Sequence, residues 1–335
     1  MTENNDAENA ALLLNELVAV DAFEEVDMPL VERCLRVLTQ PLRVIVFGTD
    51  TKHAMALINL MVGKSLLPTS LARANIRLAH GDVTQAQVQF EDGRKGRVEE
   101  NEFKGVLEQH PARTRITADL SVLNVLSILA ITNKKPDELR ADVEQSLPSA
   151  DIAIWAGVEP DEPLLDLWQD APEGLRDHGY LMLSQKMERH LWDGLEDDFV
   201  DVIQVDPRRA QEAKLRPGGV DKAVFKEAGG TAVVRALKRE IDTLIQTALD
   251  GTELLLARYG ISADGEGEDA AEAANSKLPP LQLTDEVPSP EPVENRVHSD
   301  ETAKAINRVL SRPVRERVYS IPLGKVATRS RGLLY

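Results

Sequence analysis

Apolar residues in this chain recur first at helical spacing and then in short strand-like runs. Leu12, Leu13, Leu17 and Val18, followed by Leu30, Val31, Cys34, Leu35 and Leu38, predict helices over 8–24 and 28–39. Pro29 suits the first turn of the second helix, and Gln40-Pro41 ends it. From residue 42 apolar runs alternate with amphipathic stretches. Strands are predicted at 42–47, 75–80, 84–90, 121–131, 151–156, 180–184 and 201–205, and helices near 54–62, 100–109, 136–147, 162–175, 186–195, 207–214 and 229–258. Runs such as Ile152-Ala153-Ile154-Trp155-Ala156 are apolar throughout, as strands buried on both faces must be. The alternation predicts a doubly wound α/β fold with a mostly parallel sheet and helices on both faces. The segments near 76–79 and 84–90, joined through Gly81-Asp82, read as an antiparallel hairpin at a sheet edge, with Glu91-Asp92-Gly93-Arg94 as the turn after it.

Beyond residue 260 the pattern stops. Residues 262–300 hold ten acidic residues against Lys277 and Arg296, with prolines from Pro279 to Pro292, and read as a disordered linker. Residues 301–335 reverse the sign: Lys304, Arg308, Arg312, Arg315, Arg317, Lys325, Arg329 and Arg331 face only Glu301 and Glu316, a net of +6. With −17 for the whole chain, the first 300 residues carry −17 − 6 = −23. Such a balance argues against nucleic acid as a partner of the whole chain. Ala303, Ile306, Val309 and Leu310 predict one short helix in the basic tail. The organisation expected is therefore an N-terminal helical neck (1–40), a globular domain (41–260), an acidic linker (261–300) and a basic tail (301–335).

A single cysteine excludes a disulfide framework and fits a reducing cytosol, and the acidic N-terminus has no basic n-region. No apolar run reaches the roughly 18 residues of a bilayer span. Histidines lack ligand spacing, so no metal site is expected.

Candidate chemistry centres on residues 42–59. An apolar strand runs into Gly48, a polar turn follows, and an amphipathic helix is expected from about Ala54, which is the frame of a phosphate-binding loop. In G-x-x-x-x-G-K-[ST] the second Gly lets backbone N–H groups close around phosphate, the Lys reaches the β/γ oxygens, and the hydroxyl holds Mg²⁺. Counted from Gly48, those positions hold His53, Ala54 and Met55. The frame is present without its chemistry. Gly63-Lys64-Ser65 imitates the motif's ending, but the residue five before Gly63 is Ile58, inside an apolar helix, so the triplet reads as a helix-end turn.

Several segments, in order, resemble the bacterial dynamin-like GTPases. They are the helix running through Pro41 into the first strand; Leu57–Thr69, similar to the family's LxNALLGxxLLPT; the glycine turns at Gly81-Asp82 and Asp92-Gly93; Ala150–Trp155, similar to ADxxxW; Phe199–Val205; and Glu227-Ala228-Gly229-Gly230, similar to an SGG turn. The resemblance covers roughly residues 25–258 and implies a nucleotide site built from Gly48, Thr49, Asp50, Lys52, His53, Thr69, Lys186 and Glu188. It also exposes departures. Where DTPG should orient Mg²⁺, the chain reads Ile131-Thr132-Asn133-Lys134, with Lys134 and Lys135 as either an anion contact or a solvated loop. Where [NT]KxD reads guanine, it has Gln185-Lys186-Met187-Glu188, either a shifted base reader or a helix's first turn. Thr69 is either a metal-reaching hydroxyl or a turn after Pro68, and Lys52 is placed to substitute charge but not metal geometry.

Losing one group that stabilises the transferring phosphoryl charge costs about 10²–10³ in rate, and here several are missing. The expectation is a pseudo-GTPase without catalytic residues, metal or obligatory cofactor, with weak GTP/Mg²⁺ binding left open. As its work the resemblance implies regulation or scaffolding of an active dynamin-like relative. The alternatives are a peripheral adaptor on an anionic membrane face of the cytoplasm, using Arg308, Arg312, Arg315, Arg317, Lys325, Arg329 and Arg331, and a divergent GTP-binding enzyme.

Overall fold

A computed structural model describes residues 3–157, 162–184, 198–216 and 219–261. The helix expected at 186–195, with Lys186 and Glu188, the linker beyond Ile261 and the basic tail lie outside the described residues. Among the described residues two compact units emerge, one holding residues 40–243 and the other residues 3–39 and 244–261.

The first unit is built on a nine-stranded sheet. Its centre is β1 (Leu42–Gly48). The flanking strands are, in chain order, β2 (Arg73–His80), β3 (Gln85–Gln89), β4 (Lys95–Glu99), β5 (Arg113–Ala118), β6 (Leu126–Asn133), β7 (Ile152–Gly157), β8 (Gly179–Ser184) and β9 (Asp201–Val205), in the spatial order β4-β3-β5-β2-β6-β1-β7-β8-β9. From β6 to β9 all pairings are parallel. Strands β1, β7 and β8 are buried on both faces, which explains their continuous apolar runs. The remaining strands form a wing in which β2 is antiparallel to β6, β5 is parallel to β2, and β3 is antiparallel to both β5 and β4.

The wing corrects the expected hairpin. β2 and β3 are not neighbours, because β5 lies between them. Glu91–Arg94 is itself the hairpin turn, joining β3 to β4, with Phe90 N–H donating to Arg94 O at 2.9 Å. Both inserted strands escaped the hydropathy pattern because β4 buries only Val98 and β5 alternates polar with apolar residues. The strand expected from residue 121 begins at Leu126, after a 3₁₀ turn over Ser121–Asn124.

Helices of this unit are α3 (Thr51–Val62), α4 (Phe103–Leu107), α5 (Pro136–Ser146), α6 (Glu162–Gln169), α7 (Glu173–Arg176), α8 (Pro207–Lys214) and α9 (Lys222–Glu227). On one side of the sheet, α5 and α6 close a core in which Phe47, Trp155, Trp168 and Phe199 pack, with the rings of Trp168 and Phe199 stacked 5.2 Å apart. The expected helix over 162–175 is broken before Pro172, which cannot donate within it. Gly229, at φ +80°, separates α9 from the long α10 (Gly230–Arg258), and a Cβ there would lie 2.4 Å from Gln204 O.

Where β8 meets α10, the buried Glu240 carboxylate accepts hydrogen bonds from Tyr180 Oη–H and, at 2.5 Å, from His178 Nδ1–H. Burial acts to raise Glu240, but these two donors outweigh it and hold the carboxyl below its ordinary value. Burial, with the bond to Glu240, pushes Tyr180 up to about 12.

The second unit packs α1 (Glu3–Ala19), α2 (Met28–Thr39) and the end of α10 around Leu14, Leu17, Val31, Cys34, Leu255 and Leu256. Buried Asp27 accepts from Arg258 Nη1 and Tyr259 Oη, both at 2.6 Å, which ties the start of α2 to the end of α10.

Candidate functional site

The carboxyl ends of the parallel strands are where an α/β sheet presents its ligand site, and β1 delivers Gly48 there. Gly48 has φ +156°, and a Cβ on it would sit 2.2 Å from the backbone oxygen of Ala156. Only glycine lets the end of β1 run this close to β7.

After Gly48 the chain diverges from a phosphate cradle. α3 starts at Thr51, not near Ala54, so only Thr49 and Asp50 separate strand from helix. The early start has a local cause: Asp50 is an N-cap, its Oδ1 accepting from His53 N–H at 3.0 Å while its carbonyl accepts from Ala54 N–H at 3.0 Å. The positive end of α3, which would attract a phosphate, holds this chain's own carboxylate.

The residues at the motif's chemical positions face inward. His53 is buried, and its Nε2–H donates to Met182 O at 3.2 Å. Burial pushes its pKa down, against the pull of Asp50 and Asp206, so the ring is neutral at pH 7. Ala54 and Met55 are fully buried. Thr51 Oγ1 donates to Ala72 O at 3.1 Å, fastening α3 to the segment before β2. Lys52 is exposed on the first turn of α3, and Thr69 is half-buried in that same segment. Thus Gly48, Thr49, Asp50, Lys52 and His53 converge at the β1–α3 junction and Thr69 stands in the loop that leads to Ala72, whereas Lys186, Glu188 and the tail arginines lie outside the described residues.

Neighbouring elements complete the arrangement. Asn59, almost wholly buried, accepts from Leu66 N–H at 2.9 Å and Leu67 N–H at 2.8 Å and donates to Leu67 O at 2.7 Å, so the LxN…LLPT stretch is a brace. Gly63 caps α3 in a left-handed conformation and Lys64 pairs with Glu100 at 2.5 Å, placing the Gly-Lys-Ser triplet at a helix end, as its context indicates. After β6, Glu138 accepts from Asn133 at 2.9 Å and Lys135 at 2.6 Å, and the bond to Lys135 leads in holding this carboxyl below its usual range. One of the two lysines in that turn therefore has an internal carboxylate partner. At the end of β9, Asp206 caps α8 through Arg209 N–H at 3.0 Å.

At the β1–α3 junction the described groups do not match those of a loop that holds a nucleoside triphosphate with Mg²⁺. The turn is too short to surround phosphate, the helix end is capped by a carboxylate, and Asp206 adds a second negative charge close to His53. Among the described residues no group of three or more His, Cys, Asp or Glu side chains is placed to hold a metal ion. The sequence places Asp50 at the nucleotide site and the helix from about Ala54, so its role as a cap is a finding of the structure, as are Asp206 and the Asn133–Glu138–Lys135 cluster.

No protein-family model and no curated protein matches the chain. Among solved structures, a chain from an oligomerised bacterial dynamin pair, described as a mechanism for long-range sensing and tethering of membranes, aligns with a TM-score of 0.54 at 13% identity, over 77% of this chain and 46% of its own. A second chain described in the same terms aligns at TM-score 0.42 and 15% identity, over 68% and 38%. LeoA, a bacterial dynamin GTPase from ETEC, aligns at 0.34 and 10%, over 78% and 45%. The chain spans less than half the length of each. Its sheet, strand order and flanking helices have the fold of the bacterial dynamin-like GTPases.

Proposed function

We propose that this chain is a pseudo-GTPase of the dynamin fold, working as a regulatory or scaffolding partner of a catalytically competent dynamin-like protein. The observation that carries this reading is the Asp50 cap: a side chain of the protein stands where a bound phosphate would, and His53, at the second-glycine position, is locked to Met182 O. The fold is kept while the site is closed from within, which suits a domain retained for its surfaces. The comparison chain comes from an oligomerised pair, which supports a protein partner.

Calorimetric titration of the full chain with GTP and a non-hydrolysable analogue, with and without Mg²⁺, tests the first half; no heat is expected to millimolar nucleotide, and saturable Mg²⁺-dependent binding refutes it. Mixing with an active dynamin-like GTPase tests the second half. Co-elution and a changed turnover are expected, and their joint absence sinks the partner role.

A second reading rests on the +6 of residues 301–335. At about 1 kcal/mol per cation near an anionic surface, the tail would serve as a peripheral membrane anchor. Sedimentation with anionic vesicles should then lose the protein from the pellet when residues 301–335 are removed; binding that survives the truncation rules the anchor out.

A further inference from the structure

Among the described residues one face of the wing is uncovered, and in an acidic protein it is basic. β2 buries Ala74, Ile76 and Leu78 and exposes Arg77; β5 buries Thr114, Ile116 and Ala118 and exposes Arg113 and Arg115; β4 buries Val98 and exposes Lys95 and Arg97. Because side chains alternate along a strand, each exposed set lies on one side. The registers then align these sets across strands: Arg77 stands opposite Arg115, Arg115 opposite Gln87, and Gln87 opposite Arg97, while Arg113 stands opposite Gln89 and Gln89 opposite Lys95. Arg73 pairs with Glu91 at 2.8 Å and Arg97 donates to Gln85. Among the described residues, Arg77, Lys95, Arg113 and Arg115 have no ion-pair partner. Glu99, opposite Gln85, is acidic at the margin.

On the same side of the sheet, next to this bare surface, lies α5. Its Leu139 and Val143 pack with Ile131, whose β2 neighbour is Asn75, and it turns Asp137, Asp142 and Glu144 to solvent, with Glu138 paired to Lys135, Arg140 half-buried and Lys134 exposed before its first turn. A cavity of about 240 Å³ marks the step, with Arg73, Asn75 and Arg113 on the sheet side and Glu138, Asp142 and Gln145 on the helix side. The surface is therefore a recessed basic floor beside an acidic ridge about 10 Å high, the diameter of a helix.

A surface of this kind complements itself. Rotation by a two-fold axis sets the acidic ridge of one copy over the basic floor of the other, and the same contact repeats in reverse. We propose that the wing and α5 form a self-association surface whose occupant is a second copy of this chain. A flat anionic bilayer meets the α5 ridge first and stays about 10 Å from the arginines, beyond the roughly 8 Å screening length at physiological salt. Single-stranded nucleic acid is disfavoured because the exposed positions of the wing strands carry no aromatic side chain for base stacking. Four strands spaced about 4.8 Å apart, with the adjoining helix, give a two-sided burial on the order of 1,000 Å², the low end for a specific interface. The association is weak, reversible and sensitive to salt. This inference does not depend on whether nucleotide binds.

Sedimentation velocity of the full chain across a concentration series tests it, using the wild type, R77E/R115E and D142K/E144K. The wild type is expected to dimerise at about 0.1 M salt and to weaken about tenfold or more at about 1 M, where the screening length falls to about 3 Å. Each variant alone is expected to stay monomeric, since both symmetric contacts then oppose like charges. An equimolar mixture of the two is expected to dimerise, because one reversed pair and one native pair are both complementary; this rescue also shows that each variant is folded. A monomeric wild type overturns the proposal, as does a mixture without rescue, or loss of dimer in D142K/E144K but not in R77E/R115E, which would give the acidic ridge a different basic partner. Arg77- and Arg115-dependent pelleting with anionic vesicles, without self-association, overturns it in favour of a lipid surface.

Discussion

Replacing Asp50 separates the cap of α3, which the structure shows, from the proposed role of its charge in standing where a phosphate would. In Asp50→Ala the His53 N–H loses its acceptor at the first turn of a helix that is otherwise buried along most of its length. Loss of an N-cap costs about 1 kcal/mol, with an upper figure of about 2, and roughly 0.3–1 kcal/mol of that belongs to a negative charge facing the helix dipole. Asp50→Ser keeps an oxygen acceptor without the charge and should lose only the dipole share. For a unit of this size, 1 kcal/mol corresponds to a shift in midpoint of about 2–4 °C. Urea denaturation followed by far-ultraviolet circular dichroism, with a matched thermal scan, measures both. The expected order of stability is wild type, Ser, then Ala, with the wild-type-to-Ser gap shrinking at high salt as the charge is screened. An Ala variant as stable as the wild type would mean that Asp50 does not cap α3, and the argument that an internal carboxylate stands in for phosphate would fall with it.

Gly48→Ala forces a Cβ to within 2.2 Å of Ala156 O, a backbone atom that cannot swing away, so β1 and β7 must part locally; a loss of about 3 kcal/mol or more in urea denaturation is expected, and a neutral substitution refutes the close approach. Asn59→Ala leaves three backbone groups of Leu66 and Leu67 without their buried partner; about 2–4 kcal/mol should be lost, with faster proteolytic cleavage between residues 63 and 70, whereas unchanged cleavage would show that the brace is dispensable. Tyr180 ionises at an ordinary value of 10.0 but is pushed up to about 12 in the fold, so its protonated hydroxyl stabilises the protein below pH 10, and that contribution disappears as pH rises from 10 to about 12. The rise from 10.0 to about 12 corresponds to about 2–3 kcal/mol, and Tyr180→Phe should remove this alkaline phase from the stability profile; a phase that persists in the Phe variant assigns it elsewhere.

The central strands were legible because burial on both faces leaves a continuous apolar run, as in Ile152–Ala156. The wing was not, and for the opposite reason. Its strands are half-solvated, so Arg113-Thr114-Arg115 carries an alternation too short and too polar to stand out, and β4 offers Val98 alone to the core. The strand running through Gly48 into a helix was legible, but the helix starts earlier than the polarity of Thr51-Lys52-His53 indicates because a single cap outweighs it. The basic floor was beyond reach of any local pattern. Arg77, Arg97 and Arg115 belong to three separate segments and become one surface only through the insertion of β5 between β3 and β2.

That insertion also dictates the order in which the polypeptide can acquire its structure. The β3–β4 ribbon closes through a short turn and can form on the microsecond scale, yet it has no sheet to join until Arg113–Ala118 is available. β5, in turn, must pair with β2 across the β3–β4 ribbon and α4, and β2 with β6 across β5 as well, so each docking step awaits residues synthesised later. A nascent chain that has emerged only to about Glu108 therefore presents β2 and β3 as two open edges with the right hydrogen-bonding groups and the wrong neighbour. Unpaired strand edges of this kind invite association with other chains until β5 arrives to cover them.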